Sequence, residues 1–411
     1  MTAHLPYSRM KSGETVRIGG SKSETNRWLI LSALYGGFEL TNASDSEDST
    51  AMAQALNIAH GPVNIGHAGT AMRFLTAYYA SLSGCEVVLD GSARMRERPI
   101  GILVGVLKEL GADISYIGRE GFPPLYIRGK SLRGDAVQID ASVSSQYLSA
   151  LLMVGATFKN GLELRYSGVL TSAPYVEMTL QMLRKIGISL THEPGSIRVS
   201  AVGDNFGPMV NRVTVAPDWS SASYFYSCVA LSSPGTMLRL KHFSADDLQG
   251  DRALVKLFTP LGVETQFKDE GILLTKIDVV LPLRYTCDLS DTPDLAQTIA
   301  VCCLGLGIGA ELYGLHTLAI KETDRLAALK IEMEKLGAKV CISSDRLEFD
   351  PLSELTSEVY IDTYQDHRMA MAFAPLALKV SIAVRDSEVV KKSFPDFWEK
   401  WAQIGFNVQF S

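Results

Sequence analysis

Five segments of this 411-residue chain close an amphipathic helix with Leu-Gly or Ile-Gly and run on into a short strand. They are VLKELGADISYI (106–117), QMLRKIGISL (181–190), KLFTPLGVETQF (256–267), EMEKLGAKVCI (332–342) and KWAQIGFNVQF (400–410). Their glycines, Gly111, Gly187, Gly262, Gly337 and Gly405, are spaced by 76, 75, 75 and 68 residues. Glycine suits the left-handed position that ends a helix, so the spacing predicts a repeated α/β unit of about 75 residues. A sixth copy is expected before Gly111, with its helix in AMAQALNIAHG (51–61). Because Gly61 lies only 50 residues before Gly111, that first copy is expected to be trimmed by about 25 residues. Six units sort into two domains of three. The halves meet near 200–220, in the turn-rich VSAVGDNFGPMVNRVTVAPD.

Length supports the same division, since a single core rarely extends over 411 residues. The formal charge of −6 argues against nucleic acid and anionic membranes as partners. No apolar run approaches the ~18 residues that cross a bilayer. MTAHLPYSRM does not read as a signal peptide, so a cytoplasmic location is expected. The six cysteines have no CxxC spacing and the seven histidines no HxxxH pairing. Buried free thiols and no metal site are therefore expected.

Against this acidic background, short cationic motifs sit where a strand hands over to an apolar helix. They are GSKSETNR (20–27), GHAGTAMR (66–73), RMRERP (94–99), SVSSQ (142–146), KETDR (321–325) and QDHRMAM (365–371). A helix N-terminus offers unpaired N–H groups and the positive end of the dipole, so added Lys, Arg, Ser and Thr point to phosphate or carboxylate. Lys22 and Arg27 stand in the first turns of one such helix, electrostatically misplaced unless an anion joins them. Gly69 lets backbone approach a ligand, with Thr70 and Arg73 beside it. Arg98 precedes Pro99, which suits a first helical turn. Ser144, Ser145 and Gln146 offer hydroxyl and amide donors, as do Ser172 and Tyr175. Asp294 opens a very apolar helix, and Lys321, Glu322, Asp324 and Arg325 crowd one turn. Asp366, His367 and Arg368 precede another all-apolar helix. Each motif alone also fits a capped or solvated helix end; their joint occurrence carries the weight. GSKSETNR is no P-loop, because GxxxxGK[ST] needs Gly where Val16 and Ser21 stand.

In this order, GSKSETNR, GHAGTAMR, RMRERPI, SVSSQ, SSASYF, LQGD, KETDR, DHRMAM and KKSFPDFW resemble the 5-enolpyruvylshikimate-3-phosphate synthase family across nearly the whole chain. The resemblance implies an α/β fold, a two-domain inside-out α/β barrel of the enolpyruvyl transferase type with three βαβαββ units per domain. It implies one domain at 20–216 and the other at 1–19 plus 217–411. It also implies transfer of the enolpyruvyl group of phosphoenolpyruvate to the 5-hydroxyl of shikimate 3-phosphate, with release of phosphate, on the route to chorismate and aromatic amino acids.

By the same resemblance Lys22, Ser23, Arg27, Ser144, Ser145, Gln146, Ser172, Tyr175, Asp294 and Lys321 would hold shikimate 3-phosphate. Lys22, Gly69, Thr70, Arg98, Gln146, Arg325, Arg368 and Lys392 would hold phosphoenolpyruvate. Lys22, Asp294 and Glu322 would be catalytic: Glu322 protonates the methylene carbon, Asp294 takes the hydroxyl proton and Lys22 assists the leaving phosphate. Glu322 beside Lys321, Arg325 and Arg368 needs bound anions or desolvation to carry a proton. No cofactor and no metal are implied, and a monomer is expected. The family usually has Asn at His67, Pro at Phe74, Lys at Ala173 and Asn-Trp at Thr317-Leu318. Phe74 is therefore expected to alter the response to glyphosate. The nearest rival is UDP-N-acetylglucosamine enolpyruvyl transferase, whose mobile-loop cysteine has no counterpart in SARMRERPI; another is a non-catalytic anion-binding relative. RNA-end cyclases share related repeats but suit a basic surface.

Overall fold

The computed structural model describes residues 1–140, 144–168, 170–203 and 206–411. The chain divides into two compact units, Lys22–Val215 and Met1–Ser21 with Ala216–Ser411. Each is built from one motif used repeatedly.

In the unit Lys22–Val215 the motif first runs strand His60–Asn64, helix Gly69–Ser81, strand Glu86–Asp90, helix Gly101–Glu109, then strands Asp113–Tyr116 and Leu125–Arg128. The first two strands are parallel, with His60 opposite Glu86, and the helix between them supplies the crossover that parallel strands require. The last strand pairs antiparallel with the second and with the third, giving the order first, second, fourth, third. The next copy repeats it with strands Ala136–Asp140, Leu162–Ser167, Leu190–Glu193 and Ser196–Val199 around helices Ser145–Gly155 and Ala173–Lys185. The shortened copy consists of strand Arg212–Thr214 parallel to Glu39–Thr41, with helices Lys22–Tyr35 and Glu47–Ala55. What it lacks is the antiparallel pair. The helix expected in 51–61 instead starts at Glu47, capped by Ser46, whose hydroxyl accepts the Ser49 N–H. Gly61 belongs to the next strand rather than to a helix end.

The unit Met1–Ser21 with Ala216–Ser411 holds three four-stranded sheets of the same order. One is built wholly from Arg284–Asp288, Gly309–Tyr313, Val340–Ile342 and Leu347–Phe349 around helices Ala296–Gly305 and Arg325–Lys335. In another, Glu14–Val16 supplies the first strand and Met237–Lys241 the second, so 22–215 is inserted in the connection between them. In the last, Ala3–Leu5 fills the fourth place, between Ile382–Val384 and Gln409–Phe410.

All five repeat glycines have left-handed backbone, with φ from +83° at Gly262 to +108° at Gly405. At each, the residue after the glycine donates its N–H to the carbonyl five residues back, as in Ala112 to Leu107 and Ile188 to Leu183. These are Schellman closures, which satisfy carbonyls a helix end would strand.

The first helix of each copy is the more buried one. Trp219–Leu231, Ala296–Gly305 and His367–Phe373 have every residue buried, and Gly69–Ser81 and Ser145–Gly155 nearly so. An all-round apolar helix must sit inside. Within each unit these helices pack on one another, Gly69–Ser81 against Ser145–Gly155 and Ala296–Gly305 against both Trp219–Leu231 and His367–Phe373. Their polar residues collect at the N-terminal ends, where the N–H groups need partners.

Five cysteines are buried, as expected, but Cys341 is exposed on the strand Val340–Ile342. Among the described residues no helix is long and apolar enough to cross a membrane, and no group of His, Cys, Asp or Glu is placed to hold a metal.

Candidate active site

In the unit Lys22–Val215, Lys22 is the first residue of its helix, and its ammonium donates to Asp48 Oδ2 at 3.0 Å. Asp48 stands in the first turn of the paired helix Glu47–Ala55, where a carboxylate is favoured by the dipole. Nothing local to Lys22 marks this partner, because the two residues are 26 positions apart.

Arg27 lies one turn further and is buried. Its Nε–H donates to Thr179 Oγ1 at 2.8 Å, Nη1 to the Ser23 carbonyl at 2.9 Å, and Nη2 to Ser149 Oγ and the Tyr175 carbonyl at 3.1 and 3.3 Å. The guanidinium carbon stands 5.2 Å from the Phe74 ring centroid and 5.9 Å from that of Tyr175. Burial pushes its pKa down to about 10, against the opposing pull of Tyr175 and Glu24. Arg27 therefore ties three helices together.

Gly69 begins the helix Gly69–Ser81, and a methyl group there would lie 2.5 Å from Arg98 Nη1. The absent side chain is what lets the Arg98 guanidinium lie against this helix end. Arg73 fixes the same corner: Nη1 donates to the Gly69 carbonyl at 3.0 Å and Nη2 to the Pro99 carbonyl at 3.2 Å. The Tyr147 hydroxyl donates to that Pro99 carbonyl too, at 2.6 Å. Arg98 is thus held through its neighbour. Gln146 Nε2 donates to Thr70 Oγ1 at 3.2 Å, joining two of the predicted motifs. Ser144 caps the helix Ser145–Gly155, accepting the Gln146 N–H, and Ser145 is its first residue. Ser142 and Val143 of that motif lie outside the described residues. Ser172 precedes the helix Ala173–Lys185 with φ +56° and does not cap it with its side chain.

The other unit gathers a denser cluster. Arg325 donates from Nη1 to Asp294 Oδ1 at 2.8 Å, from Nη2 to Glu322 Oε2 at 2.9 Å and from Nε to Asp366 Oδ2 at 2.7 Å. Arg368 Nη2 holds the second oxygen of Asp294 at 3.0 Å, and Lys321 Nζ lies 3.3 Å from the first. Lys392 Nζ donates to Glu322 Oε1 at 2.8 Å. His367, buried, has Nδ1 3.6 Å from Asp366 Oδ1. Four cations are thus interlocked with three carboxylates.

Three come from helix entrances, Asp294 from the turn Pro293–Leu295, Arg325 from the start of Arg325–Lys335 and Arg368 from the start of His367–Phe373, whereas Lys392 ends the turn Ser387–Lys392. Burial works to raise the pKa of Asp294, but Arg368, Lys321 and Arg325 outweigh it and hold the carboxyl well below its usual range. Burial likewise works to lower Arg325, and Asp366, Glu322 and Asp294 more than reverse it. Arg325 and Arg368 each meet Asp294 through a single nitrogen, and Arg325 meets Glu322 in the same way, which is the type of charge-assisted contact that an anionic ligand also makes.

Asp366 had no role in the sequence reading beyond marking a charged helix entrance. It is fully buried, caps the helix by accepting the Arg368 N–H, and is the partner of Arg325 Nε.

Residues 57–401 match the family model described as EPSP synthase (3-phosphoshikimate 1-carboxyvinyltransferase). The chain is 42% identical over 401 residues to a protein of Bacteroides fragilis named 3-phosphoshikimate 1-carboxyvinyltransferase, covering 96% of each chain. A protein of the same name from Tolumonas auensis is 34% identical, with 97% and 98% covered. Among solved structures, EPSP synthase from Acinetobacter baumannii superposes with a TM-score of 0.78 at 19% identity over the whole of both chains. The enolpyruvyl transferase NikO from Streptomyces tendae superposes with a TM-score of 0.75 at 15% identity, covering 100% of this chain and 98% of that one. The two-domain α/β fold agrees with these neighbours. The chain belongs to the EPSP synthase family.

Proposed function

We propose that the chain is a 3-phosphoshikimate 1-carboxyvinyltransferase, joining the 5-hydroxyl of shikimate 3-phosphate to the enolpyruvyl group of phosphoenolpyruvate and releasing phosphate. The observation that carries this reading is that Asp294 and Glu322, the two predicted proton-transfer groups, are bound to one guanidinium, Arg325, at 2.8 and 2.9 Å. Phosphoenolpyruvate becomes electrophilic only when its methylene carbon is protonated, so the reaction needs an acid and a base close together.

In this reading Glu322 gives its proton to the methylene carbon while Asp294 takes the hydroxyl proton, and the new C–O bond forms a tetrahedral intermediate. Loss of a proton from the new methyl group and cleavage of the C–O bond to phosphate, assisted by Lys22, complete the exchange. Phosphoenolpyruvate is held by Lys22, Gly69, Thr70, Arg98, Gln146, Arg325, Arg368 and Lys392. Shikimate 3-phosphate is held by Lys22, Ser23, Arg27, Ser144, Ser145, Gln146, Ser172, Tyr175, Asp294 and Lys321.

Ion exchange supplies the missing acid–base strength. With Arg368, Lys321 and Arg325 around it, Asp294 is a weak base. When the phosphate and carboxylate of the donor take over Arg368 and Arg325, and shikimate 3-phosphate takes over Lys321, Asp294 loses its stabilisation as an anion and its proton affinity rises. Two unit charges ~4 Å apart are worth on the order of 4 kcal/mol at an effective dielectric of about 20, ample to move a carboxyl by several pH units.

Phosphate release from both substrates tests the reading, with Glu322→Gln and Asp294→Ala each expected to lower kcat by about 10²-fold or more. Unchanged rates in both variants, or turnover with UDP-N-acetylglucosamine in place of shikimate 3-phosphate, would overturn it. The expected location is cytoplasmic and the expected state monomeric; a sedimentation mass near 44.8 kDa is the corresponding measurement.

A further inference from the structure

Two helical turns after Arg325, on the same helix, stands Glu332, with a fully buried side chain. Its carboxylate accepts three hydrogen bonds: from Lys335 Nζ at 2.7 Å, the Asp362 backbone N–H at 3.0 Å and the Tyr364 hydroxyl at 2.6 Å. Two of these donors belong to the turn that leaves strand Val359–Ile361 and enters helix His367–Phe373. Lys335 reinforces the same turn through Asp362 Oδ2 at 2.7 Å and the Tyr360 carbonyl at 3.2 Å.

That turn is strained. Tyr364 and Gln365, consecutive non-glycine residues, have φ of +53° and +58°. L-residues avoid this region because Cβ crowds the following carbonyl, and they stay there only where their surroundings over-determine them. Glu332 supplies that constraint, gripping the turn at its first residue through backbone and at Tyr364 through side chain.

Immediately beyond the strained pair comes Asp366. Its N–H donates to the Thr363 carbonyl at 2.8 Å, and its carboxylate accepts Arg325 Nε at 2.7 Å and the Arg368 N–H at 2.9 Å. The connections therefore close on themselves: Glu332 to Tyr364, along the turn to Asp366, across to Arg325, and back down one helix to Glu332. Any relaxation of the turn toward ordinary backbone moves Asp366, and with it both Arg325 and Arg368.

We propose that Glu332 is a positioning residue for the reaction, which through Tyr364 fixes Arg325 and Arg368 at the spacing that phosphoenolpyruvate requires. The proposal rests on the donor-binding role given above to those two arginines. A buried carboxylate that served only to hold the fold would need Lys335 and the Asp362 N–H; the Tyr364 hydroxyl is the bond that reaches toward the cluster.

Steady-state kinetics of Tyr364→Phe, which deletes only that hydroxyl, separate the two roles. Positioning requires KM for phosphoenolpyruvate to rise about tenfold while KM for shikimate 3-phosphate stays within about twofold. Glu332→Gln, which keeps an oxygen to accept from Tyr364 but turns an NH2 toward Lys335 and the Asp362 N–H, is expected to raise the donor KM about threefold. It also reports the effect should Tyr364→Phe fail to fold. Equal changes in both KM values, or none, would overturn the proposal. Arg368→Lys serves as the reference: an unchanged donor KM there removes the site reading and this proposal with it. A raised donor KM in Arg368→Lys with none in Tyr364→Phe or Glu332→Gln removes the positioning role alone.

Discussion

Arg325 Nε and Asp366 Oδ2 lie 2.7 Å apart with both side chains out of contact with solvent. A pair of this kind contributes little net stability when intact, because both charges were taken out of water, but removing one member leaves the other charge buried. Asp366→Ala is therefore expected to cost about 3 kcal/mol of unfolding free energy, the low end for a buried pair because Asp294 and Glu322 still hold Arg325. Urea denaturation of the variant measures it.

Asp294 gives a dependence on pH. Its folded pKa lies below the ordinary carboxylate value, so the folded state binds fewer protons there than the unfolded chain. Its stabilisation is complete above pH ~4 and lost as pH falls through the lower folded value. The stability gap between the chain and Asp294→Asn should be constant at neutral pH and close as the solution is acidified below pH ~4. A gap that widened on acidification would contradict the ion pairing described.

Gly69→Ala places a methyl group on the Arg98 guanidinium. The obstacle is the far end of a flexible side chain, so the fold yields easily and the thermal midpoint should stay within about 2 °C. Arg98 itself must move. A rise of about tenfold in KM for phosphoenolpyruvate is expected.

Phe74 lies under Arg27, ring centroid to guanidinium carbon 5.2 Å. Phe74→Leu keeps an apolar side chain and the helix but deletes the π face, and should cost about 1–2 kcal/mol of stability. Phe74→Pro is harsher. It removes an N–H in the body of the helix Gly69–Ser81, about 3 kcal/mol, and is expected also to change the inhibition constant for glyphosate.

Titration with a thiol reagent should find one reactive cysteine in the native protein, Cys341, and all six after denaturation. Burial raises Cys302 to about 12 and Cys228 and Cys303 well above the usual range, so those three are doubly protected.

The five glycines were legible in the sequence because a left-handed helix end demands a residue without Cβ, and that demand is local. The trimming of the first copy was legible as a shortfall of length, but which elements were missing was not. Only the pairing of Arg212–Thr214 with Glu39–Thr41 identifies the absent pair. The helix Glu47–Ala55 was misplaced because Gly61 looked like its terminator, whereas Ser46 marks its start. The cations of the site were visible as misplaced charges at helix entrances. Of their partners, Asp294 and Glu322 stood out but Asp48 did not, being an ordinary first-turn acid until Lys22 reaches it, and Glu332 reads as one more polar residue on an amphipathic helix. Burial of a carboxylate is decided by what packs over it, and here that is a turn 30 residues further along the chain.

The strand Ala3–Leu5 lies between Ile382–Val384 and Gln409–Phe410, and Thr2 and Ser411 exchange backbone hydrogen bonds at 2.9 and 3.0 Å. During synthesis this strand emerges early and must wait for partners made nearly four hundred residues later. The stretch 22–215 has no such debt, since all its sheets close within itself. The inserted stretch can therefore complete its sheets independently, whereas the last sheet needs Ala3–Leu5 together with Ile382–Val384 and Gln409–Phe410.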